Sequence, residues 1–163
     1  QPWFSNTIFA ITSDHTNMSN HAEYKTDLGG FCVPVIFYDP TEEIRPGMRH
    51  AIAQQIDIMP TILNYLGYDH PYIAYGCDLL HTADDETWAV NYLNGIYQYV
   101  KGDYLLQFDG QQIRALYNYR DDILLKTNIA DSEPSTCKTM ERQLKAIIQS
   151  YMTRMVNNEL KLK

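Results

Sequence analysis

Asp14 and His15 are adjacent, and they close an apolar run, Thr7-Ile8-Phe9-Ala10-Ile11-Thr12-Ser13. A carboxylate beside an imidazole offers one hard oxygen and one borderline nitrogen. That donor pair suits a divalent cation such as zinc or manganese. Such centres take three or four protein ligands as a rule, and the dipeptide supplies two. The same residues have a reading that needs no ion: Asp14 caps the next turn and His15 is an ordinary loop histidine.

The elements around the pair decide what it can do. Residues 7–13 are short, β-branched and aromatic, and they stop at a polar loop, so they read as a buried strand. In open α/β sheets, ligands bind just beyond the carboxyl ends of the strands. Residues 14–31 form a polar loop with His21, Glu23, Lys25 and Asp27, ending at Gly29-Gly30, where unusual backbone angles are expected. Val33-Pro34-Val35-Ile36-Phe37-Tyr38 reads as a second apolar strand. Pro34 confines it to a first-residue or edge position, and Asp39-Pro40 stops it. Cys32 is expected as a buried free thiol. Buried strands of a parallel sheet need neighbours and covering layers. Little sequence precedes the first strand, so the reading expects a larger domain whose earlier half lies elsewhere.

Ile56, Met59, Ile62, Leu63 and Leu66 recur at helical spacing and stop at Gly67. Asp57 is read as the N-cap rather than as a catalytic group, with Pro60 tolerated in the first turn. Residues 68–86 are loop-like, and Asp84, Asp85 and Glu86 form a solvated acidic surface. From residue 87 the period changes to two. Runs at 87–93, 96–100, 104–108 and 113–117 are separated by Asn94-Gly95, Lys101-Gly102-Asp103 and Asp109-Gly110, which predicts an antiparallel meander. Met140, Leu144, Ile147, Ile148, Tyr151, Met155 and Leu160 share one stripe of a helix expected from about 137 to 158, with Lys161 and Lys163 at its C-terminal end.

The bulk numbers limit the function. Thirteen basic and twenty acidic residues give a formal net charge of −7. That argues against a general nucleic-acid or anionic-membrane binder, because phosphate contact is driven by Lys and Arg. No apolar stretch approaches the roughly 20 residues that span a bilayer, and no signal-peptide pattern is visible at residue 1. Cys32, Cys77 and Cys137 are too few and too scattered for a disulfide scaffold. The sequence leaves open whether Cys77 and Cys137 pair.

By residue 67 the order of features resembles a known family. Residues 7–16, ending Ser13-Asp14-His15-Thr16, resemble the metal-binding strand and loop of the alkaline-phosphatase/sulfatase superfamily. They are closest to its lipoteichoic-acid-synthase-like, phosphoglycerol-transferase branch. Residues 28–38 are similar to the Gly-x-x-x-Val-Pro-strand segment that follows in that family. Gln55-Ile56-Asp57-Ile58-Met59-Pro60-Thr61 is similar to its Val-Asp-hydrophobic-x-Pro-Thr helix. Leu116-Tyr117-Asn118-Tyr119, with Asp121 and Asn128-Ile129-Ala130, resembles the Leu-Tyr-Asp-Leu…Asn-Leu ending of sulfatases.

The resemblance implies a metal-dependent phospho-ester transferase or hydrolase, with Asp14 and His15 as metal ligands and His21 and Lys25 reaching substrate. The metal would be Mn, Mg, Zn or Ca. The nucleophile and the remaining acidic ligands are expected N-terminal to the first strand, so the chain alone is expected to be inactive. Cys32-Val33-Pro34 lacks the Ser and Arg of the sulfatase nucleophile motif and lies on the wrong strand. Asp14-His15-Thr16 stands where sulfatases usually have Asp-Asn or Asp-His-Gly, and Lys25 lies closer to Gly29-Gly30 than the family pattern normally allows. The expected fold is α/β: the C-terminal part of an alkaline-phosphatase-like sheet with flanking helices (residues 1–86), plus a small antiparallel meander and a C-terminal helix packed on it (residues 87–163). The implied partners are an anionic phosphate- or sulfate-ester substrate and the N-terminal half of the same domain. Nucleic acid is not among them. The implied setting is extracytoplasmic, with the parent anchored in a membrane through N-terminal helices. A sulfatase acting on sulfated glycans is the alternative within enzymes. A non-catalytic saccharide- or protein-binding module is the alternative outside them.

Overall fold

The dominant element is a meander whose turns are set by three short polar breaks. In the computed structural model, which describes residues 1–17 and 20–162, β3 (Trp88–Leu93), β4 (Ile96–Lys101), β5 (Tyr104–Phe108) and β6 (Ile113–Asn118) form one antiparallel sheet in sequence order. Two shorter strands precede them, β1 (Phe9–Thr12) and β2 (Val35–Tyr38). Asn94 and Gly95 link β3 to β4 with φ of 51° and 85°, the mirror-image turn that matches the twist of a two-residue hairpin. Asp109 shapes the last turn by accepting the N–H groups of Gln111 and Gln112, each at 2.8 Å.

The sheet is covered on both faces. On one, Tyr99, Leu106, Phe108 and Leu116 pack against Cys137, Met140 and Leu144 of a long helix, α2 (Pro134–Val156). On the other, Ala89, Val100 and Leu105 meet Leu28, Ile52 and Leu125. Segments on either side of residue 86 therefore share a core. Both edges of the sheet are occupied. Val90 N–H donates to Gln54 Oε1 at 3.0 Å beside β3. Beside β6, Leu116 N–H donates to Asn128 Oδ1 at 3.0 Å and Ile129 N–H donates to the Leu116 carbonyl at 2.8 Å. Asn128 thus substitutes for a neighbouring strand, which blunts an edge otherwise open to pairing.

α2 starts earlier than expected, because Pro134 occupies its first turn, where a missing N–H costs nothing. It ends at Val156 in a C-terminal cap built on Asn158, which has φ of 56°. Asn158 N–H reaches Met155 O at 3.2 Å and Glu159 N–H reaches Arg154 O at 2.7 Å. Lys161 therefore lies beyond the helix, Lys163 lies outside the described residues, and Arg154 is the basic residue of the last turn. Burial of the apolar stripe falls off along the helix: Leu144 is fully buried, Ile147 and Ile148 pack at the edge of the core, and Tyr151 and Met155 are 43% and 45% exposed.

The N-terminal strands differ most from expectation. β1 and β2 pair antiparallel with each other, with Phe9 opposite Tyr38 and Thr12 opposite Val35. Each therefore has a single ladder. Their faces are open: Ile11, Ile36 and Tyr38 are 53%, 48% and 48% exposed, so these are not buried strands. Phe4, Phe9 and Tyr38 instead gather at one end, with ring centroids 5.7–6.2 Å apart. Cys32 is exposed as well, because the segment before β2 is a 3₁₀ turn, Gly29–Phe31, rather than strand. Gly29 and Gly30 are not among the positive-φ residues. Gly29 is required for space: a Cβ there would lie 1.9 Å from the Glu23 carbonyl oxygen.

α1 (Ile58–Tyr65) follows a 3₁₀ turn, Gln55–Asp57. It stops as expected at Gly67, whose φ of 66° allows Gly67 N–H to bond Asn64 O and Tyr68 N–H to bond Leu63 O. The whole is a mixed α/β fold with antiparallel sheets and a C-terminal helix.

Candidate metal-binding loop

β1 ends at Thr12, and the backbone then turns sharply through Ser13, Asp14 and His15. The turn builds itself from local hydrogen bonds. Ser13 Oγ donates to the His15 carbonyl at 2.9 Å, and His15 N–H donates to Asp14 Oδ1 at 2.9 Å. Asp14 thus does cap its own turn, but with one oxygen only. The other oxygen, Oδ2, lies 3.5 Å from His15 Nε2. The His15 N–H, then the histidine charge, hold the Asp14 carboxyl below the usual carboxylate range.

The second imidazole nitrogen is committed. His15 Nδ1 lies 2.8 Å from the Thr16 carbonyl oxygen, which accepts only, so Nδ1 carries the hydrogen in the neutral ring. Nε2 is then a lone-pair donor facing Asp14 Oδ2, another lone-pair donor. Two ligands bound tetrahedrally at about 2.1 Å would be about 3.4 Å apart, close to the separation seen. The chemistry of this pair therefore fits a divalent cation, to which Asp14 Oδ2 and His15 Nε2 would be the ligands. Among the described residues, no group of three or more His, Cys, Asp or Glu side chains could hold a metal ion. Both side chains are open to solvent, with Asp14 84% and His15 72% exposed. No described strand flanks this end of β1 apart from β2, so the pair stands on an open surface rather than in a cleft.

Two neighbours tie the loop down. Thr16 N–H donates to the Gly30 carbonyl at 3.2 Å, and Gly30 N–H donates to Thr26 O at 3.2 Å. Gln55 Nε2 donates to the carbonyls of Ser13 at 2.7 Å and Asp14 at 3.3 Å. The three N-terminal sequence segments singled out above therefore meet at the Asp14–His15 loop. His21 precedes the 3₁₀ turn Ala22–Lys25 and Lys25 ends it, and both are exposed. His21 Nδ1 lies 3.6 Å from Glu23 Oε1.

Asp57 is structural. It is 1% exposed, and its two oxygens accept Gln54 N–H at 2.7 Å and Cys77 N–H at 2.8 Å. It is not a side-chain N-cap of α1. It forms a reciprocal capping box with Gln54 one turn earlier. Burial outweighs these two donors and pushes its carboxyl up. Thr61, also fully buried, donates to Asp57 O at 2.6 Å and accepts Leu79 N–H at 2.9 Å. The Asp-x-x-Pro-Thr pattern thus satisfies buried backbone groups where α1 meets residues 76–79. Gly76 is part of the same joint, since a Cβ there would lie 2.2 Å from the Ile56 carbonyl oxygen.

Sequence reading missed Asp39 and the role of Gln55. Asp39, 8% exposed, accepts the N–H and hydroxyl of Thr41, Glu43 N–H and the Tyr65 hydroxyl, which ties the chain after β2 to α1. The Asp39-Pro40 step marked a turn, but nothing in it pointed to Tyr65.

The sulfatase family model matches residues 4–68, the stretch that holds β1, the Asp14–His15 loop, β2 and α1. The 116–130 segment lies outside that match. Among solved structures, the chain resembles a Bacteroides thetaiotaomicron protein, the "6S-sulf" of a core genetic locus for metabolism of multiple glycosaminoglycans. The TM-score is 0.65 at 20% identity, over 90% of this chain and 39% of that one. The chain thus spans about two fifths of that protein, and the likeness is one of fold. The family match thus covers the stretch that carries the donor pair, and the structural match extends the likeness of fold over most of the chain.

Proposed function

We propose that this chain is the C-terminal part of a metal-dependent enzyme that cleaves or transfers phosphate or sulfate esters, and that Asp14 and His15 are two of its metal ligands. The observation that carries the reading is the pairing of Asp14 Oδ2 and His15 Nε2 at 3.5 Å, with His15 Nδ1 already bonded to Thr16 O. In the neutral ring these two atoms are lone-pair donors on one exposed turn, an arrangement that a divalent cation would join.

A bound divalent cation would act as a Lewis acid on the ester and lower the pKa of the attacking group. This chain's residues would orient that centre. Thr16 O fixes the histidine tautomer, Ser13 and His15 N–H fix the turn, and Gly30 and Gln55 anchor it to the fold. His21 and Lys25, exposed on the next turn, would meet the anionic end of a substrate. The nucleophile and remaining ligands would come from sequence N-terminal to β1, whose half of the domain would also lie against the open strands β1 and β2. The 163-residue chain alone would then turn over no ester.

The Ser13-Asp14-His15 sequence favours the phosphoglycerol-transferase type, in an extracytoplasmic domain anchored by N-terminal helices. A sulfatase acting on sulfated glycans is the second reading, supported by the likeness to the glycosaminoglycan-locus protein. Incubating the full-length protein and divalent metal with phosphatidylglycerol vesicles and, separately, with sulfated glycosaminoglycan oligosaccharides separates the two. The first reading expects release of diacylglycerol and no free sulfate. Sulfate release alone would establish the second, and turnover of neither ester class would overturn both.

A further inference from the structure

Gln55 belongs to a different element from Asp14 and His15, yet it grips the backbone that carries them. Its carboxamide lies in the 3₁₀ turn ahead of α1 and donates to the carbonyls of Ser13 and Asp14, 42 and 41 residues away in the chain. That turn is well anchored. Asp57, its last residue, is buried with both oxygens occupied, and Gly76 leaves no gap behind Ile56. The Asp14–His15 loop is by contrast exposed, the kind of segment in which local opening is easiest.

We propose that Gln55 is a positioning residue for the donor pair, a role that rests on the metal reading given above. Its Nε2 bridges two successive carbonyl oxygens. It thereby fixes the peptide planes on both sides of the Asp14 Cα and so the direction in which the Asp14 and His15 side chains leave the turn. A loop already held in this way loses less conformational freedom when its side chains close on a cation. Partners that orient metal ligands in this manner contribute about 10–100-fold in affinity. The role demands a neutral donor at the end of a side chain of this length. Methionine matches the length without the donor. Glutamate would set an anionic acceptor against two carbonyl oxygens.

Manganese titration by calorimetry on the full-length protein tests this, with wild type, Gln55→Met, Gln55→Glu and Asp14→Ala, and with thermal unfolding of each metal-free protein. Because Gln55 is exposed, both Gln55 variants should unfold at the wild-type temperature. Both should bind manganese about tenfold more weakly with the stoichiometry kept, while Asp14→Ala loses the site. Wild-type affinity in Gln55→Met beside a lost site in Asp14→Ala overturns the positioning role alone. A fall in metal-free melting temperature parallel to the loss of affinity also overturns it, since the contact would then be merely structural. Wild-type affinity in Asp14→Ala overturns the metal reading and this inference with it.

Discussion

Asp57 reaches across a loop to Cys77: its Oδ1 accepts the Cys77 N–H at 2.8 Å while Oδ2 accepts the N–H of Gln54. One carboxylate therefore joins the start of α1 to the segment that follows it. Asp57→Ala leaves two N–H groups without partners at a buried joint, and should cost about 2–4 kcal/mol in urea unfolding. Asp57→Asn keeps one acceptor and should cost less. Its carboxyl is held above the ordinary range, so the folded state keeps the proton longer than the unfolded state does. The contribution of this group is therefore greatest in acid and declines as pH rises above about 4.

Asp39 has the opposite sign. Burial alone would raise its carboxyl, but the Thr41, Tyr65 and Glu43 donors prevail and hold it at about 2. Its stabilisation is fully present above the unfolded value of about 4 and is lost as pH falls from about 4 to about 2. Melting temperature followed over that interval should drop more steeply in wild type than in Asp39→Asn. Parallel curves would show that the network does not hold the chain after β2.

The burial gradient along α2 makes a graded prediction. Leu144 is fully buried against the sheet, Ile148 is half-buried, and Met155 is 45% exposed. Leu144→Asp should destabilise by about 3–5 kcal/mol, by cavity formation and an unpaired charge. Ile148→Asp should cost less, and Met155→Asp should stay within about 0.5 kcal/mol of wild type. Equal losses at all three positions in denaturant unfolding would mean that the distal turns are covered after all.

How much the sequence reveals depends on how local the cause is. Asn94-Gly95 dictates a hairpin through the φ angles of two residues, and Gly67 ends α1 for the same reason, so the meander and the helix stop are legible. Pro134 carried a usable signal for the start of α2, since proline favours a first helical turn. An apolar run such as 7–13 says that a strand wants burial, but not which way its neighbour runs. The antiparallel β1–β2 pair and its open faces were therefore not readable. Asp14 and His15 stood out by residue type and by their place after a strand. The contacts that orient them did not, because Gln55 meets Ser13 across 42 residues. Glutamine at that position looks like any exposed polar residue at a helix start.

The most direct measurement of the central claim is ester turnover by the full-length protein with and without EDTA, for wild type, Asp14→Ala and His15→Ala, using whichever of the phosphate or sulfate esters it accepts. The account predicts that chelation abolishes turnover and that adding back a divalent cation restores it in wild type. It also predicts that each variant loses about a thousandfold or more in kcat/KM even at saturating metal, the equivalent of several kcal/mol of transition-state stabilisation. Wild-type turnover in both variants, still sensitive to EDTA, would place the metal elsewhere and contradict it.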